Sequence, residues 1–339
     1  MSRDIGIDLG TATVLIYVKG RGVVLSEPSV VAIDTQTEKV ICVGRDAQRM
    51  IGRAPSNIEV VRPLKDGVIS RYEVTLQMLR HFLAKVTGNT LIHPRVMVCI
   101  PSGITEVEER AVLDAANQAG ARKTYLIEEP VAAALGADID IRMPNGNLIV
   151  DIGGGTTDIA LISLGNVVAS ASVKFAGAKF DEAIIRYVRL KYGVIIGEPT
   201  AEKIKMTIGA AVPVTEDKYI EVKGRSASQG LPKAVRLSTS EVTYALEEPI
   251  SKIIEALCTV LEATPPELVG DVLTNGIVMT GGGSLLFGLD RRIAKETGIR
   301  TRIAPNPVQC VAIGTGKALE DLSQLTEGFM GLSKEKRTT

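Results

Sequence analysis

The sequence predicts an α/β protein in which two similar mixed-sheet domains face each other across one cleft. Two stretches, residues 5–18 and 148–162, each contain an apolar β-branched strand, an acidic residue, a turn of small residues and a second strand. A third turn, rich in glycine, follows a strand at residues 276–280. Since each half offers one carboxylate and one glycine hairpin, we expect both halves to face the same nucleotide, with the third turn closing over its nucleoside.

Composition limits the class of protein. The 339 residues are enough for more than one domain. Lysine plus arginine equals aspartate plus glutamate, at 39 each, so we expect no nucleic-acid partner. No apolar run approaches the roughly 18–20 residues that span a bilayer, and the start leads straight into a strand, so we expect no signal peptide. The 4 scattered cysteines, with only 2 histidines, favour a cytoplasmic protein with reduced thiols over a zinc site.

The glycine turns are the strongest functional signal. Backbone N–H groups in such turns can approach an anion closely. One turn alone is also consistent with an ordinary hairpin, but its recurrence favours phosphate binding. The predicted phosphate-binding residues are Gly10, Thr11, Ala12, Thr13, Gly153, Gly154, Gly155 and Thr156, and the third turn is predicted to contact the nucleoside through Gly281, Gly282, Gly283, Ser284 and Leu285.

The first half alternates strands and helices. Residues 1–44 are predicted to form short strands, 45–50 a short helix, and 74–86 a helix with apolar residues at helical spacing. After a strand at 96–100, Thr105 and Glu108 form a capping box that begins the next helix. A strand at 123–127 leads to Glu128 and Glu129, where another helix begins. Both acids are also consistent with simple N-terminal helix charges.

The second half repeats this order. Strands at 148–150 and 159–162 precede a helix at 181–190 and another that begins near residue 200. Residues 212–237 are predicted to be rich in strands. A long helix at 241–261 is predicted to be interrupted at Pro249, and the third glycine turn is predicted to lead directly into a helix at 285–289.

Three motifs carry a resemblance to a known superfamily: Asp-Leu-Gly-Thr at 8–11, Asp-Ile-Gly-Gly-Gly-Thr-Thr at 151–157 and Thr-Gly-Gly-Gly at 280–283. They resemble the superfamily of actin, sugar kinases and heat-shock chaperones. Within it, the chain resembles the bacterial actin family of MreB and its paralogue Mbl from end to end. Supporting stretches lie at residues 27–32, 62–69, 101–105, 127–130, 264–268 and 311–316. One departure is Thr13, where the family usually has Asn.

The resemblance implies an actin-like ATPase fold, in which each domain carries a small inserted subdomain. On this basis we expect subdomain IA to comprise residues 1–32, 76–144 and 312–339, and subdomain IB residues 33–75. Subdomain IIA would comprise residues 145–181 and 244–311, and subdomain IIB residues 182–243.

The resemblance also implies the chemistry of the cleft. We expect ATP, with GTP as the alternative, and Mg²⁺ held by Asp8 and Asp151, largely through water because magnesium dehydrates reluctantly. The catalytic residues would be Glu129, which orients the attacking water, Thr156 beside the γ-phosphate, and Asp151. The nucleoside would be bound by Glu202, Lys203, Ile204 and Lys205, although Glu202 and Lys205 alone are also consistent with a surface ion pair. Since no arginine occupies a motif position, we expect slow hydrolysis.

A short loop around Leu91 and Ile92 is the predicted membrane contact. By itself the pair is too small to count as an exposed patch and is consistent with a loop folded back onto its domain. In MreB-like proteins the matching loop dips into the membrane. The resemblance therefore implies that Leu91 and Ile92 bind the membrane surface, with Arg95 beside them contacting lipid phosphates.

The function implied by the resemblance is that of a cytoskeletal ATPase in the cytoplasm, at the inner face of the membrane. It would form homopolymeric filaments, single or paired, and help to maintain rod shape together with cell-elongation and wall-synthesis proteins. One alternative is a sugar or small-molecule kinase, for which we can assign neither a second substrate pocket nor a general base. Another is a chaperone ATPase domain, for which too little chain follows Gly316. The third is a non-polymerising nucleotide-dependent scaffold.

Overall fold

The computed structural model of the chain describes residues 4–88, 93–320 and 322. The strands, in chain order, are β1 (Asp4–Leu9), β2 (Thr13–Val18), β3 (Gly22–Pro28), β4 (Val31–Asp34), β5 (Val40–Val43), β6 (Ile58–Val61), β7 (Leu64–Lys65), β8 (Val68–Ile69), β9 (Arg95–Ile100), β10 (Lys123–Glu128), β11 (Asn147–Ile152), β12 (Thr157–Ser163), β13 (Asn166–Val173), β14 (Val194–Ile195), β15 (Tyr219–Ser226), β16 (Pro232–Ser238), β17 (Ile277–Thr280) and β18 (Thr301–Ile303).

The α-helices are α1 (Arg45–Gln48), α2 (Tyr72–Thr87), α3 (Glu106–Gln118), α4 (Glu129–Gly136), α5 (Gly177–Tyr192), α6 (Glu198–Ile208), α7 (Thr239–Glu262), α8 (Pro266–Asn275), α9 (Leu289–Thr297) and α10 (Cys310–Glu320). Short 3-10 helices cover Gly282–Leu285 and Pro307–Gln309. The predicted capping box is confirmed, since the Glu108 amide donates to Thr105 Oγ1 at 3.3 Å and the Thr105 amide donates to Glu108 Oε2 at 2.8 Å.

Two five-stranded sheets have the same topology. The first, in the order β10-β9-β1-β2-β3, and the second, in the order β18-β17-β11-β12-β13, form the bases of what we call the first and second domains. In each sheet the hairpin strands pair antiparallel, and the two later strands join them in parallel. The prediction of two similar mixed-sheet halves is therefore confirmed. β1 corresponds to β11, β2 to β12 and β9 to β17.

Smaller sheets accompany the two large ones. β5-β4-β6 and the hairpin β7-β8 lie between β3 and α2 in the chain, and β14-β15-β16 lies between α5 and α7. The apolar cores follow this division, because one cluster combines β1, β2, β9 and α2 and another combines β11, β12, α5, α6 and α7. The boundaries of the four subdomains stay predictions.

Helices α4 and α10 pack so closely that their backbones are in contact. A methyl group added at Gly314 would lie 1.7 Å from the carbonyl oxygen of Ala132, and one added at Gly136 would lie 1.8 Å from that of Cys310. The same helix α10 lies against the first sheet, where a methyl group at Gly6 would lie 2.2 Å from Thr315 Oγ1. Since each contact leaves no space for a side chain, glycine is required at all three positions.

Two sequence predictions about helices are wrong. Helix α7 runs through Pro249 without interruption, and Pro249 is buried inside it. The segment after the third glycine turn is not a helix from residue 285, because a short 3-10 helix ends at Leu285 and α9 begins only at Leu289. Gly288, in the left-handed conformation at φ 75°, separates the two elements.

Candidate functional site

A cavity of about 890 Å³ lies between the two domains. It is lined by both glycine hairpins, by the third turn, and by residues of α4, α5 and α6. The predicted site residues that line it are Asp8, Gly10, Thr11, Ala12, Thr13, Glu129, Asp151, Gly153, Gly154, Gly155, Thr156, Glu202, Lys205, Gly281, Gly282, Gly283 and Leu285. Its volume is in the range usual for sites that bind small molecules and cofactors.

The first hairpin, between β1 and β2, is held in shape by Ser29. The Ser29 hydroxyl donates to the carbonyl oxygen of Gly10 at 2.5 Å, and the Ser29 amide donates to that of Ala12 at 3.0 Å. Since these bonds occupy turn carbonyls, the turn is held by Ser29, which directly follows β3, and not by β1 and β2 alone. Thr13, at the place where the family usually has Asn, is the first residue of β2 and lines the cavity.

The two hairpins touch each other. A methyl group added at Gly154 would lie 2.5 Å from Ala12 Cβ, and one added at Gly155 would lie 2.4 Å from Thr11 Oγ1. Distances below 3 Å are not tolerated for a real side chain, so glycines are required where the domains meet. The contact brings the two glycine hairpins together in the wall of one cavity, and backbone N–H groups of such turns can bind phosphate.

The second hairpin is also tied to helix α5. The Gly177 and Ala178 amides donate to the carbonyl oxygens of Gly153 and Gly154 at 3.1 and 2.8 Å. Because these bonds occupy hairpin carbonyls, the position of the hairpin depends on α5.

The third turn lies over the end of β11. Gly281 has φ 79°, and a methyl group there would lie 2.2 Å from the carbonyl oxygen of Ile152. Ser284 does not line the cavity among the described residues; it is fully buried and its hydroxyl donates to the carbonyl oxygen of Gly281 at 2.7 Å. Ser284 therefore holds the turn, while Leu285, which is 57% exposed, faces the cavity.

Three carboxyl groups, those of Asp8, Glu129 and Asp151, line the cavity, and a fourth, that of Asp158, is fully buried behind its wall. Burial raises the pKa of Asp8 and of Asp151 to about 7. Burial, together with the carboxylates of Asp158, Asp151 and Asp8, raises the pKa of Glu129 well above its ordinary range, and burial also raises the pKa of Asp158. A cation placed among these groups would favour their ionised forms.

The donor set fits a magnesium ion. Asp8 and Asp151 provide oxygen ligands, and each is the last residue but one of its strand and lies in the cavity wall. Within the described ranges no three His, Cys, Asp or Glu side chains form a metal-binding group. Magnesium is ordinarily bound by one or two carboxylates together with waters and substrate phosphates, so two carboxylates suffice.

Helix α6 places only part of its predicted motif in the cavity. Glu202 and Lys205 line it, whereas Ile204 is fully buried in the core and Lys203 is exposed; neither of the last two is among the described lining residues. Lys205 Nζ donates to the carbonyl oxygen of Gly177 at 3.0 Å and to Asp181 Oδ2 at 3.0 Å. Glu202 and Lys205 thus do not form the surface ion pair that their spacing allows, because Lys205 is bound to α5.

The cavity also contains residues that the sequence did not single out. Gly67, at the tip of β7-β8, donates its amide to Thr11 Oγ1 at 2.9 Å. Phe287 is 55% exposed, with the Arg291 guanidinium 4.7 Å above its ring centre. A turn signal at Asp66 and Gly67 was available in the sequence, but no local pattern indicates that Phe287 and Arg291 line the site.

The predicted membrane residues, Leu91 and Ile92, lie outside the described residues. Their neighbour Arg95 does not present a free guanidinium for lipid phosphates, because its Nε and Nη2 donate to the two carboxylate oxygens of Asp4 at 2.9 and 2.6 Å. In the described part of the chain, none of the helices is both long and apolar enough to cross a bilayer.

Comparisons with known proteins agree on one family. A family model described as "MreB/Mbl protein" matches residues 2–327. The chain is 50% identical to the cell shape-determining protein Mbl of Bacillus subtilis, over 96% of this chain and 98% of that protein. It is 52% identical to the cell shape-determining protein MreB of Escherichia coli K12, over 94% of each.

Solved structures give the same result. The crystal structure of MreB5 of Spiroplasma citri bound to AMPPNP matches with a TM-score of 0.91 and 39% identity, over 96% of this chain and 98% of that one. The same protein bound to ADP also matches with a TM-score of 0.91. A MamK chain from a double helical filament matches with a TM-score of 0.80 at 24% identity, over 94% of this chain and 99% of that one, which bears on the fold alone. The predicted actin-like fold is confirmed.

Proposed function

The chain belongs to the MreB/Mbl family of cell shape-determining actin homologues, and we propose on this basis that it is a cytoskeletal ATPase. It binds ATP and Mg²⁺ in the cavity between its domains, hydrolyses the nucleotide slowly, and forms homopolymeric filaments at the inner face of the cell membrane. There it helps to maintain rod shape by positioning cell-elongation and wall-synthesis proteins. Membership of this family removes the support for the sugar-kinase and chaperone alternatives.

The observation that carries the proposal is the contact between the two glycine hairpins. Gly154 and Gly155 meet Ala12 and Thr11 without space for a side chain, and both hairpins line one cavity with a carboxylate beside each. A ligand with several adjacent anionic groups and a bound cation suits such a site. A nucleoside triphosphate also matches the chemistry of AMPPNP and ADP, with which the MreB5 relative was solved.

Each group in the cavity has a role in this proposal. The hairpin amides bind the phosphates, and Asp8 and Asp151 hold magnesium, largely through water. When bound, magnesium neutralises phosphate charge and orients the phosphate oxygens. Glu129 orients the attacking water, and Thr156 assists beside the γ-phosphate. Glu202, Lys205 and the third turn bind the nucleoside.

The proposed hydrolysis is slow for a reason found in the electrostatics of the site. Burial raises the pKa of Glu129 well above its ordinary range. A protonated carboxyl group cannot accept a proton from water, so Glu129 acts as a base only after a cation has favoured its ionised form. Turnover therefore depends on a fully assembled site, which suits a filament switch better than a metabolic enzyme.

A matched pair of glycine variants tests nucleotide-dependent polymerisation. Gly155→Ala would place a methyl group 2.4 Å from Thr11 Oγ1, whereas Gly270→Ala, on exposed α8, has nothing within 4 Å of the new methyl group. We expect the wild type and Gly270→Ala to pellet with ATP and Mg²⁺ and to form visible filaments, and Gly155→Ala to lose both ATP binding and pelleting. A wild-type chain that binds ATP but stays monomeric at high concentration would instead indicate a non-polymerising scaffold.

The membrane contact is tested separately, with the double variant Leu91→Ser, Ile92→Ser on lipid vesicles. We expect the wild type to co-pellet with the vesicles in the presence of ATP and the double variant to co-pellet less while still forming filaments. Filaments of the double variant that bind vesicles as well as the wild type does would show that these two residues are not the membrane contact.

A further inference from the structure

Equivalent strands of the two domains place a hydrogen-bond donor beside each of the two magnesium-site carboxylates. In the second domain, Asp151 on β11 pairs in register with Thr280 on β17. In the first domain, Ile7 on β1 pairs with Val98 on β9, so Asp8 and Cys99 are the next residues along. Because β1 corresponds to β11 and β9 to β17, Cys99 and Thr280 occupy the same position in their domains.

The two donors differ in strength. Thr280 Oγ1 donates to Asp151 Oδ1 at 2.5 Å, a short bond from a hydroxyl to a carboxylate. Cys99 Sγ lies 3.5 Å from Asp8 Oδ1, and a thiol is a weak donor. Thr280 and Cys99 are both buried, so water does not replace either donor. One carboxylate is therefore held firmly and the other loosely.

We propose that Thr280 is a positioning residue that fixes Asp151 for the magnesium–nucleotide complex, and that Cys99 leaves its counterpart Asp8 free to adjust. This inference rests on the proposed function, because it concerns the cation that accompanies the nucleotide. With Oδ1 bound to Thr280, Asp151 keeps its second oxygen, Oδ2, in a defined orientation for the cation or its waters. Asp8 then adapts its orientation to the bound nucleotide.

The expected change in Mg²⁺ affinity follows from what is typical of other metal sites. Groups that hydrogen-bond a metal-binding side chain typically contribute about 10- to 100-fold to metal affinity. The strong hydroxyl of Thr280 should lie in that range. The thiol of Cys99, as a weak donor at 3.5 Å, should contribute clearly less.

The test measures the Mg²⁺ concentration that gives half-maximal binding of a fluorescent ATP analogue, after all divalent ions have been removed with EDTA. The full-length chain is compared with Thr280→Val, which removes the hydroxyl at nearly constant volume, with Thr280→Ser, which keeps it, and with Cys99→Ala. Thr280→Cys, which copies the donor of the first domain, serves if Thr280→Val does not fold. Two further measurements detect a merely structural role. One is binding of the analogue in the absence of Mg²⁺, and the other is the stability of each variant in urea unfolding.

We expect Thr280→Val, or Thr280→Cys in its place, to raise the required Mg²⁺ concentration by about 10-fold or more. Thr280→Ser should restore the wild-type value, and Cys99→Ala should have a clearly smaller effect. The inference is overturned if the Thr280→Val value equals the wild-type value, if Thr280→Ser is as weak as Thr280→Val, or if Cys99→Ala is as damaging as Thr280→Val. A wild-type chain that does not bind the analogue at any Mg²⁺ concentration would overturn the proposed function itself, and the inference with it.

Discussion

Raising the pH from 6 to 8 is expected to destabilise the protein when nucleotide and magnesium are absent. Burial raises the pKa of Asp8 and of Asp151 from an ordinary value of 3.8 to about 7. The folded protein then holds two protons that the unfolded chain has already released. The stability that these protons provide is complete below the unfolded pKa and is lost as the pH rises through about 7.

The magnitude follows from the same two pKa values. One pKa unit corresponds to about 1.4 kcal/mol. Between pH 6 and pH 8 a carboxyl group with a pKa of about 7 passes from mostly protonated to mostly ionised in the folded state, while the unfolded chain stays ionised. Asp8 and Asp151 together should therefore lower the free energy of unfolding by about 3 kcal/mol, a large part of the roughly 5–15 kcal/mol that stabilises a typical domain.

Urea unfolding in EDTA at pH 6, 7 and 8 measures this change. The double variant Asp8→Asn, Asp151→Asn is the control, since it has no group that titrates at either position and should depend less on pH. With saturating ATP and Mg²⁺ the loss of stability between pH 6 and pH 8 should also be smaller, because a bound cation favours the ionised carboxylates. The reasoning fails if the stability of the wild type rises from pH 6 to pH 8, or if the double variant loses as much stability as the wild type.

Three further predictions concern packing and ion pairs. Gly314→Ala would place a methyl group 1.7 Å from a carbonyl oxygen of α4 and should lower the free energy of unfolding by about 3 kcal/mol or more. The control Gly270→Ala should change it by less than about 1 kcal/mol. Equal urea midpoints of the two variants would contradict this. Lys205→Met leaves the mostly buried Asp181 without its cation. It should lower the free energy of unfolding by about 3 kcal/mol and weaken binding of a fluorescent ATP analogue. Unchanged stability and unchanged affinity would refute this prediction. Arg95→Ala should cost about 2 kcal/mol in urea unfolding and leave vesicle binding unaltered, since its guanidinium is bound to Asp4; a loss of vesicle binding would show that lipid competes for it.

Where the sequence contains a repeated local pattern, that pattern was sufficient to predict which residues come together in the fold. Both hairpins, their carboxylates and the third turn line one cavity, as expected from the recurrence of strand, acid and glycine turn. On α6, the helical period already separates two faces: Glu202 and Lys205 are three residues apart, and Ile204 lies on the apolar face with Ala201 and Ile208. Of the four residues predicted to bind the nucleoside, the helical period therefore favours Glu202 and Lys205, which line the cavity.

Long-range packing explains what the sequence did not reveal. Proline in a helix interior costs about 3 kcal/mol or more, yet α7 continues through Pro249 because it buries residues such as Leu246, Ile250 and Ile253 on the same helix. Each buried aliphatic side chain contributes about 1.5–3 kcal/mol, so together they outweigh the cost of the proline. Thr280 begins the Thr-Gly-Gly-Gly motif, but that motif does not indicate that its hydroxyl reaches Asp151. Its proposed role follows only from the pairing of β17 with β11, which joins residues far apart in the chain.

The position of α10 has a consequence for the order in which the chain folds. All strands of the second sheet lie between residues 147 and 303, so they are complete before α10 has been synthesised. The first sheet comes earlier in the chain, but its β1 and β2 are covered by α10, through Thr315 on Gly6 and through Gly316 on the ring of Tyr17. Such a late, non-local contact is slow to form. A nascent chain halted before residue 310 would therefore contain every strand of the second domain. Its first domain would still lack the helix that covers β1 and β2, the strands synthesised first.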